Sequence, residues 1–535
     1  MRKVWDLSGL KGEKIMPSDR STIVLRRTYS RHKKDGTFET FDEIVDRVIE
    51  HQRWLWMRAR KGRKLTDGQE EELAYLRRLM GEYRVLPAGR TLWLGGTDVA
   101  REREASMFNC AFTNVETVSD VVDAFWLLLQ GCGVGFRPIA GTLNGFAREV
   151  EIGVVRSGKT LENPIKGDPM TRGRYYEEGG KRVWHLTIGD SAEGWAKAVG
   201  KLLANKEVFE KLVLDFSEIR PAGYRLARYG WISSGDVTAS VAFRRIAEIL
   251  SKRADQPLAA IDILDILNHL GAVLSSRRSA QIALLPFGDA EWRDFAYAKR
   301  NFWENDNFHR QQSNNSLIFE GRPTRSDLEM VFAMMQEAGG SEPGFVNGAH
   351  AKKRAFWWKG VNPCCEILLP NKGFCNLVEV NLAAFNGRFG ELLKAVEVIA
   401  RANYRQTCVN LRDGLLVDSW HENNQFLRLC GVGVTGVVQW DRQGDEGAWA
   451  ELWRAAWRGA NSMAEELGLP RPKAVTTIKP SGTLSKVMDT TEGIHRPLGR
   501  YIINNIRFAR HAPLVGALRR ANYRVFDDPS SPDAV

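Results

Sequence analysis

The stretch VNPCCEILLPNKGFCNLVEVNL, residues 361–382, decides how this sequence is interpreted, because it contains three of the chain's seven cysteines. Cys364 and Cys365 are adjacent, Glu366 follows them directly, and Cys375 lies further along the same stretch. Such a cluster is typical of a metal site, a disulfide framework or a centre of thiol chemistry. The rest of the sequence decides between these three.

A structural zinc site needs four Cys or His ligands, usually arranged as two closely spaced pairs. Here two cysteines are adjacent, and the sequence contains no second pair. A disulfide framework is equally unsuited, since seven cysteines in 535 residues is a low density and an odd number. The cluster therefore favours thiol chemistry, and no residue is assigned as a metal ligand.

Alternation along the segment predicts an extended strand in which Asn362, Cys364 and Glu366 point to one side. An amide, a thiol and a carboxylate would then meet in one volume, while Cys365 would face the other way. Together these groups can hold a substrate hydroxyl, remove its proton and offer sulfur chemistry to the same carbon skeleton. Three further cysteines are expected to be small buried core residues, namely Cys132, Cys408 and Cys430.

Composition describes a large globular chain with a basic surface. With 535 residues and 43% hydrophobic content, it can bury a large core. The net charge of +11 comes from scattered basic residues, which favours an ordinary solvated surface; attraction of polyanions such as nucleotides, or nucleic-acid binding, stays open. The N-terminus has no apolar signal segment, and Asp123 interrupts the most apolar run, so we expect a soluble cytoplasmic protein.

Helices and strands are predicted in alternation. Three capping boxes, each followed by apolar residues at helical spacing, predict helix starts at Thr40, Thr66 and Ser326. Apolar periodicity predicts further helices at 258–274, 391–408 and 447–467. Runs of β-branched and aliphatic residues predict strands at 211–216, 279–285, 315–320 and 377–382. This interleaving favours α/β architecture.

Further motifs follow one another along the chain: RRTYSR (26–31), PAGRTLWLGGTD (87–98), FNCAF (108–112), GCGVGF (131–136), DFSEIRPAG (215–223), SSRRSAQIAL (275–284), SNNS (313–316), EPGFVN (342–347), TTIKPSGTLSK (476–486) and YIINNIRF (501–508). Together with N-P-C-x-E at 362–366 and N-L-x-E-V at 376–380, they resemble the ribonucleotide reductases. The resemblance is specifically to the adenosylcobalamin-dependent class II, of the monomeric ribonucleoside-triphosphate reductase type, and it covers nearly the whole sequence.

The resemblance implies an α/β fold in which ten strands form a barrel of two opposed parallel halves. A finger loop would place Cys364 at the centre of this barrel. Residues 1–105 would form an N-terminal helical region and residues 106–535 the catalytic barrel. An insertion or effector-site region is expected at about residues 146–210. Composition and periodicity alone support only a large α/β protein.

The resemblance also implies a mechanism with adenosylcobalamin as cofactor. Cys364 would lose its hydrogen atom, and the resulting thiyl radical would abstract the 3′-hydrogen of a ribonucleotide. Glu366 would act as general base on the 3′-hydroxyl, and Asn362 would hold the substrate hydroxyls. Cys110 and Cys375 would supply two electrons by forming a disulfide, which a thioredoxin-like reductant would reduce after each turnover.

Substrate phosphates are expected at Ser481, Gly482 and Thr483, because two hydroxyls and an accessible glycine backbone before a helix suit anions. Ser106 and Thr91 are secondary candidates for the same phosphates.

A deoxynucleotide effector site is implied by the segment SSRRSAQ. Its residues Ser275, Ser276, Arg277 and Arg278 would link effector binding to substrate choice. The two guanidinium groups suit a phosphate or a base edge, and the alternative is a solvated loop that leads into a strand.

Two features depart from the family pattern. Cys365 stands where the family usually has glycine; it is either harmless or a trap for oxidising equivalents. The sequence ends at Val535, where family members continue with a further part of the barrel and a tail that bears a cysteine pair. We expect either a separate chain that supplies this C-terminal part or a fragment without turnover on its own.

Rival interpretations remain open at this point. A class I reductase large-subunit-like chain would share Asn362, Cys364, Glu366 and both redox cysteines. A basic nucleotide-binding or nucleic-acid-binding protein that has lost catalysis would tolerate the loss of those cysteines. The choice between triphosphate and diphosphate substrates, and between monomer and dimer, is likewise undecided by the sequence.

Overall fold

The computed structural model describes residues 17–163, 166–226, 228–273, 280–503, 505–528 and 534–535. Within these ranges the α-helices are α1 Asp19–Thr28, α2 Phe41–Ala59, α3 Asp67–Gly81, α4 Gly89–Leu94, α5 Asp98–Glu102, α6 Val118–Leu129, α7 Ala192–Ala204, α8 Val237–Lys252, α9 Ala260–Ala272, α10 Trp292–Ala296, α11 Arg325–Ala338, α12 Gly348–Arg354, α13 Phe389–Arg405, α14 Asp418–Leu427, α15 Glu446–Leu467, α16 Leu484–Val487 and α17 Pro513–Arg520. Short 3-10 helices lie at Glu104–Met107, Phe308–Gln312, Leu382–Phe385 and Val437–Gln439.

The strands of the same ranges are mostly short. They are β1 Val85–Pro87, β2 Cys110–Val115, β3 Gly133–Pro138, β4 Glu151–Val155, β5 Arg172–Glu178, β6 Lys181–Thr187, β7 Lys211–Asp215, β8 Arg225–Leu226, β9 Trp231–Ile232, β10 Gln281–Pro286, β11 Ser313–Phe319, β12 Gly344–Asn347, β13 Gly360–Val361, β14 Leu368–Leu369, β15 Gly373–Cys375, β16 Val378–Asn381 and β17 Val432–Thr435.

One compact unit comprises Cys110–Lys372, Gly414–Val417 and Asn505–Val535. Five strands of one sheet lie in this unit in the order β12-β11-β10-β3-β2, and all their neighbouring pairs are parallel. Parallel neighbours need crossover connections, and helices α6, α9, α10 and α11 lie between successive strands along the chain. Strand β10 is accordingly buried on both faces from Gln281 to Leu285, as expected for a parallel sheet covered by helices.

The same unit contains a second sheet, with strand order β4-β7-β6-β5. Strands β4 and β6 run parallel to β7, whereas β5 is antiparallel to β6. Aromatic packing holds one face together, because the ring of Phe209 lies 5.3 Å from that of Trp184 and 5.4 Å from that of Phe146, between centroids. Strands β4, β5 and β6 of this sheet fall in the region of about 146–210, whose role as an effector region stays a prediction.

The other compact unit comprises Met1–Asn109, Gly373–Asp413 and Asp418–Asn504. Its three-stranded sheet has the order β1-β16-β17, with β1 antiparallel and β17 parallel to β16. Helices α13 and α15 pack against each other in this unit. A buried ion pair crosses its core, where Arg405 Nη1 donates to Glu72 Oε1 at 2.6 Å and Arg401 Nε donates to Glu72 Oε2 at 2.6 Å.

Two of the three predicted helix starts are confirmed. Helix α2 begins after Thr40, whose backbone N–H donates to the Glu43 carboxylate at 2.7 Å, and α3 begins after Thr66. The prediction for Ser326 is wrong, because α11 starts earlier, after Thr324. The Asp327 carboxylate accepts a hydrogen bond from the Thr324 backbone N–H at 2.9 Å. A capping box of Thr324 and Asp327 therefore starts the helix before the predicted box of Ser326 and Glu329.

The predicted α/β class is confirmed, and each of the four predicted strands overlaps an observed one: β7, β10, β11 and β16. The three helices predicted from periodicity correspond to α9, α13 and α15. Closure of ten strands into a barrel stays an expectation. Across the described ranges, no helix is both long and apolar enough to cross a membrane.

Candidate active site

Residues 360–369 form a β-hairpin that carries the N-P-C-C-E sequence. Strands β13 and β14 pair antiparallel, with Gly360 opposite Leu369 and Val361 opposite Leu368. Between them the chain turns sharply, because the Cys365 N–H donates to the Asn362 carbonyl at 2.8 Å. The turn requires a φ of +63° at Cys365, a left-handed conformation that glycine adopts most easily.

Asn362 holds this loop together from inside. Its side chain is fully buried, Nδ2 donates to Glu366 Oε2 at 2.7 Å, and Oδ1 accepts from the Ile367 N–H at 3.0 Å. Both ends of the amide are therefore used, one to orient the carboxylate and the other to fix the backbone beyond it. Cys364 lies between these two anchored residues and is exposed.

The predicted extended strand is wrong for the loop, although the predicted grouping of side chains is partly recovered. A turn replaces strand alternation between Asn362 and Cys365, so Cys365 is exposed like Cys364. Asn362 and Glu366 nevertheless meet, through the direct hydrogen bond rather than through a shared strand face. The physical reason is the short hairpin, whose two-residue strands leave the six residues between them to the loop.

Glycines of the GCGVGF motif let the hairpin lie close to strand β3. A Cβ at Gly135 would be 2.0 Å from the Val361 carbonyl oxygen, and one at Gly133 would be 3.0 Å from Pro363 Cγ. The hairpin contributes its own glycine, since a Cβ at Gly360 would be 2.1 Å from the Phe112 ring. The alternation of glycines along one face of the strand is the feature that admits the loop.

Cys110 begins strand β2 directly opposite Gly133. A Cβ at Gly133 would lie 3.5 Å from Cys110 Sγ and 3.0 Å from Pro363, so the buried Cys110 sulfur and the loop flank the same glycine. Asn314 of β11 also reaches the loop, where its Nδ2 donates to the Pro363 carbonyl at 3.4 Å. The structure thus brings together Cys110 and the residues of the hairpin.

Polar side chains of the SNNS motif support the sheet near the loop. Ser313 Oγ lies 2.8 Å from Asn315 Oδ1 and 3.2 Å from Asn268 Oδ1, and Asn268 Nδ2 donates to Gln281 Oε1 at 3.1 Å. All four side chains are buried. The sequence assigned no role to these side chains, and the available signal was the run of consecutive Ser and Asn residues within an otherwise aliphatic strand.

Cys375 and the phosphate candidates belong to the other compact unit. Cys375 ends β15 and is completely buried. Ser106 is also completely buried, and its hydroxyl has no hydrogen-bond partner among the described residues. Arg90, which was not predicted, donates from Nε to the Ser106 carbonyl at 3.2 Å. Thr91 is buried beside a small cavity of about 10 Å³.

Ser481 occupies a tight turn before α16. It has a φ of +51°, is almost completely buried, and donates from Oγ to Glu379 Oε2 at 2.7 Å. Gly482 is exposed and nothing lies within 4 Å of the position that a Cβ would take there. Thr483 is half-buried. The side chain of Ser481 is therefore committed to the protein, whereas the backbone after it faces outward.

The remaining predicted residues fall into two groups. Ser275, Ser276, Arg277 and Arg278 lie outside the described residues. Cys132 and Cys430 are buried and Cys408 is half-buried, so the expectation of core cysteines holds for the first two. Burial raises the pKa of the Cys408 thiol and that of the Cys430 thiol, which keeps both protonated and unreactive at neutral pH.

Two open cavities of about 480 and 470 Å³ lie beside Trp54 and Phe345, and neither is lined by a predicted site residue. In the part of the chain that the structure describes, no three His, Cys, Asp or Glu side chains are arranged to hold a metal ion.

Two stretches of the chain match known family models. Residues 11–97 match the ribonucleotide reductase alpha domain, and residues 346–442, which include the hairpin, match the ribonucleotide reductase barrel domain. A solved B12-dependent class II ribonucleotide reductase superposes with a TM-score of 0.78 at 26% sequence identity, covering 96% of this chain and 80% of that one. The chain is therefore similar in sequence and fold to the class II ribonucleotide reductases.

Two relatives within this family are adenosylcobalamin-dependent ribonucleoside-triphosphate reductases. The protein of Lactobacillus helveticus is 27% identical over 95% of this chain and 77% of its own length. The protein of Lactobacillus leichmannii is 27% identical with the same coverage of both chains. These relatives favour the class II interpretation over the class I alternative. The hairpin around Cys364 is accordingly the candidate active site of a class II reductase.

Proposed function

We propose that this chain reduces ribonucleotides to 2′-deoxyribonucleotides by a thiyl radical mechanism that adenosylcobalamin initiates. The observation that carries the proposal is the geometry of the hairpin. Asn362 is hydrogen-bonded to Glu366, Cys364 is exposed between these two residues, and the hairpin lies beside Cys110. The relatives named above, which are adenosylcobalamin-dependent ribonucleoside-triphosphate reductases, support the same chemistry. Triphosphates are therefore the preferred substrates.

The cofactor has to approach the reactive sulfur atom from the surface of the loop. Cys364 is exposed on its loop, which fits such an approach. When bound, adenosylcobalamin supplies the radical that removes the hydrogen atom of the Cys364 thiol. No side chain of this chain is assigned to hold the cofactor.

The hairpin residues then act on the ribose. The Cys364 sulfur radical takes the 3′-hydrogen and returns it at the end of the turnover. The Glu366 carboxylate accepts the proton of the 3′-hydroxyl, and a proton from a thiol of the Cys110 and Cys375 pair allows the 2′-hydroxyl to leave as water. The Asn362 amide keeps Glu366 oriented through the 2.7 Å hydrogen bond. Because Asn362 is fully buried and uses both ends of its amide within the loop, its role is that of a positioning residue.

Loss of the 2′-hydroxyl requires two electrons, which we assign to Cys110 and Cys375. Oxidation of the two thiols forms one disulfide and delivers two electrons and two protons to the substrate. A thioredoxin-like dithiol then reduces that disulfide. This chemistry needs a reducing compartment, and the low cysteine density of the chain is in keeping with the cytoplasm.

The substrate phosphates are assigned to the turn at residues 481–483. Ser481 fixes the turn through Glu379, and the exposed backbone of Gly482 together with the Thr483 hydroxyl offers donors to an anion. Arg90 lies beside Ser106 and adds positive charge to the second phosphate candidate. Effector binding is assigned to residues 275–278 and the region of about 146–210.

The test is an anaerobic assay of deoxynucleotide formation with the 535-residue chain. Ribonucleoside triphosphates or diphosphates are supplied with dithiothreitol and either adenosylcobalamin or hydroxocobalamin, which lacks the cobalt–carbon bond. We expect product only with adenosylcobalamin and more product from triphosphates. Equal product without the adenosyl group, or none while the substrate binds, would contradict the proposal.

A second test separates the redox cysteines from other cysteines. Cys110→Ser and Cys375→Ser should each lose repeated turnover with dithiothreitol, because neither variant can form the disulfide. Cys408→Ala is the matched control, since this half-buried thiol has no assigned role and its loss should leave turnover unchanged. Full turnover in Cys110→Ser would show that Cys110 and Cys375 are not the redox pair.

A further inference from the structure

Two adjacent thiols are exposed at the proposed radical site. Cys364 and Cys365 occupy the same turn of the hairpin loop, and both side chains are exposed. Neighbouring α-carbons of a trans peptide are about 3.8 Å apart, whereas disulfide-bonded cysteines usually have α-carbons about 4.4–6.8 Å apart. A disulfide between these two residues is therefore strained, and strained exposed disulfides are the easily reduced ones.

The backbone makes the presence of a cysteine at 365 notable. This residue has a φ of +63°, where a side chain is strained and glycine is not. Because Cys365 itself departs from extended geometry, the loop does not hold the Cys364 and Cys365 side chains on opposite sides, as a strand would. The residue in the strained left-handed conformation, Cys365, thus carries a second thiol next to that of Cys364.

We propose that Cys365 is a resolving cysteine that protects Cys364 from irreversible oxidation by forming a reversible disulfide with it. Peroxide oxidises the Cys364 thiol to a sulfenic acid and is itself reduced to water. The Cys365 sulfur then attacks the sulfenic sulfur, forming the S–S bond and releasing a second water molecule. The sum is two thiols and one hydrogen peroxide giving one disulfide and two waters. A dithiol restores both thiols.

Local electrostatics suit this division of roles. The Cys365 residue is exposed, but its sulfur is partly desolvated within the loop; this desolvation and the neighbouring Glu366 carboxylate raise the pKa of its thiol. A protonated thiol reacts slowly with peroxide, so Cys365 stays reduced until a sulfenic acid forms beside it. Closure of the disulfide should become faster as the pH rises, because the thiolate is the attacking species.

The disulfide can be detected without measuring activity. Trypsin cleavage after Lys359 and Lys372 releases a peptide of residues 360–372 that contains Cys364 and Cys365, while Cys375 falls in the following peptide. The whole chain is treated with hydrogen peroxide, alkylated under denaturing conditions, digested and analysed by mass spectrometry. We expect the peptide without alkyl groups and lighter than the dithiol form by two hydrogen atoms. A doubly alkylated peptide, or one cross-linked to the Cys375 peptide, would overturn the proposal.

Protection is tested with matched variants. Cys365→Gly fits the left-handed backbone and Cys365→Ser keeps the side-chain size, and neither has a second thiol. After excess peroxide and then dithiothreitol, the wild-type peptide should return to the dithiol form, whereas both variants should accumulate sulfinic acid at Cys364. Equal sulfinic acid in wild type and variants would contradict protection.

The consequence for turnover rests on the proposed function. Peroxide-treated wild type should recover most deoxynucleotide formation after dithiothreitol, and the variants should recover several-fold less. If the peptide shows the disulfide but no protein makes deoxynucleotides before treatment, the proposed function fails and the redox role of Cys365 stands. If untreated proteins are active and the disulfide is absent, the redox role fails alone.

Discussion

The hairpin loop of residues 362–367 and the turn at residues 481–483 are built alike but expose opposite parts of the chain. Each has a non-glycine residue at positive φ, Cys365 at +63° and Ser481 at +51°. Each also joins a short polar side chain to a carboxylate, at 2.7 Å in both cases. The hairpin exposes its thiols, whereas the turn buries its hydroxyl and exposes its backbone.

This difference separates two kinds of function. A loop that presents a reactive side chain has to fix it through neighbours, which is the role of Asn362 and Glu366. A turn that binds an anion through N–H groups has to fix its backbone, and the hydrogen bond from Ser481 to Glu379 does this. Mutations in the two regions should therefore affect different quantities.

The largest effect is expected from Glu366→Gln. Glutamine keeps an acceptor for the Asn362 amide but cannot take the 3′-hydroxyl proton, so kcat should fall by about 10²–10⁴-fold. The thermal unfolding midpoint should stay close to that of the wild type. Steady-state deoxynucleotide formation under saturating substrate measures the effect, and an unchanged kcat would refute the general-base assignment.

Asn362→Ala should reduce both activity and stability. The variant loses the bonds to Glu366 and to the Ile367 N–H, which together should cost about 1–3 kcal/mol of unfolding free energy. Misplacement of Cys364 and Glu366 should lower kcat by about 10²-fold. The matched control is Asn371→Ala, which loses the bond from the Asn114 N–H outside the loop. If both variants lose activity equally, the loop has no special positioning role.

Ser481→Ala tests the same comparison in the turn at residues 481–483. Removal of the hydroxyl takes a donor away from the buried Glu379 carboxylate, which should cost about 1–3 kcal/mol of stability. The KM for substrate should rise several-fold together with the loss of stability, because the hydrogen bond holds the backbone whose N–H groups bind the phosphate. Thermal unfolding and KM are measured on the same preparation. A large increase in KM with unchanged stability would show that the serine hydroxyl binds the phosphate directly.

The smallest effect is expected from Cys365→Gly without any oxidant. Relief of the left-handed conformation should raise the unfolding free energy by about 1 kcal/mol. Turnover should be unchanged, since Cys365 takes no part in the proposed reduction. A destabilised variant would mean that the thiol makes packing contacts that outweigh the backbone strain.

The sequence predicted the fold class better than the local geometry of the candidate site. The α/β class predicted from the interleaved elements is confirmed, whereas the roles that the family motifs imply for Asn362, Cys364 and Glu366 stay predictions. The turn at Cys365 was missed, because side-chain alternation cannot distinguish a strand from a short hairpin loop. The helix start at Thr324 was missed because two overlapping capping boxes compete, and the sequence does not show which one the backbone adopts.

Other features depend on contacts between distant parts of the chain. The close approach of the hairpin to Gly133 and Gly135 is invisible until β3 and the loop are placed together. The hydrogen bond between Ser481 and Glu379 spans 102 positions, and local pattern suggested that the serine hydroxyl was available for phosphate. Tertiary structure supplies these partners, whereas the sequence supplies only the residue types.

The central claim is that the exposed thiol of Cys364 carries out the radical chemistry. The most direct measurement compares Cys364→Ser with wild type and Cys408→Ala in the anaerobic, adenosylcobalamin-dependent assay with ribonucleoside triphosphate and dithiothreitol. The serine O–H bond is too strong to replace the thiol as a hydrogen-atom donor, so product should fall to background in Cys364→Ser and remain in Cys408→Ala. Deoxynucleotide formation by Cys364→Ser at a rate near that of the wild type would contradict the account.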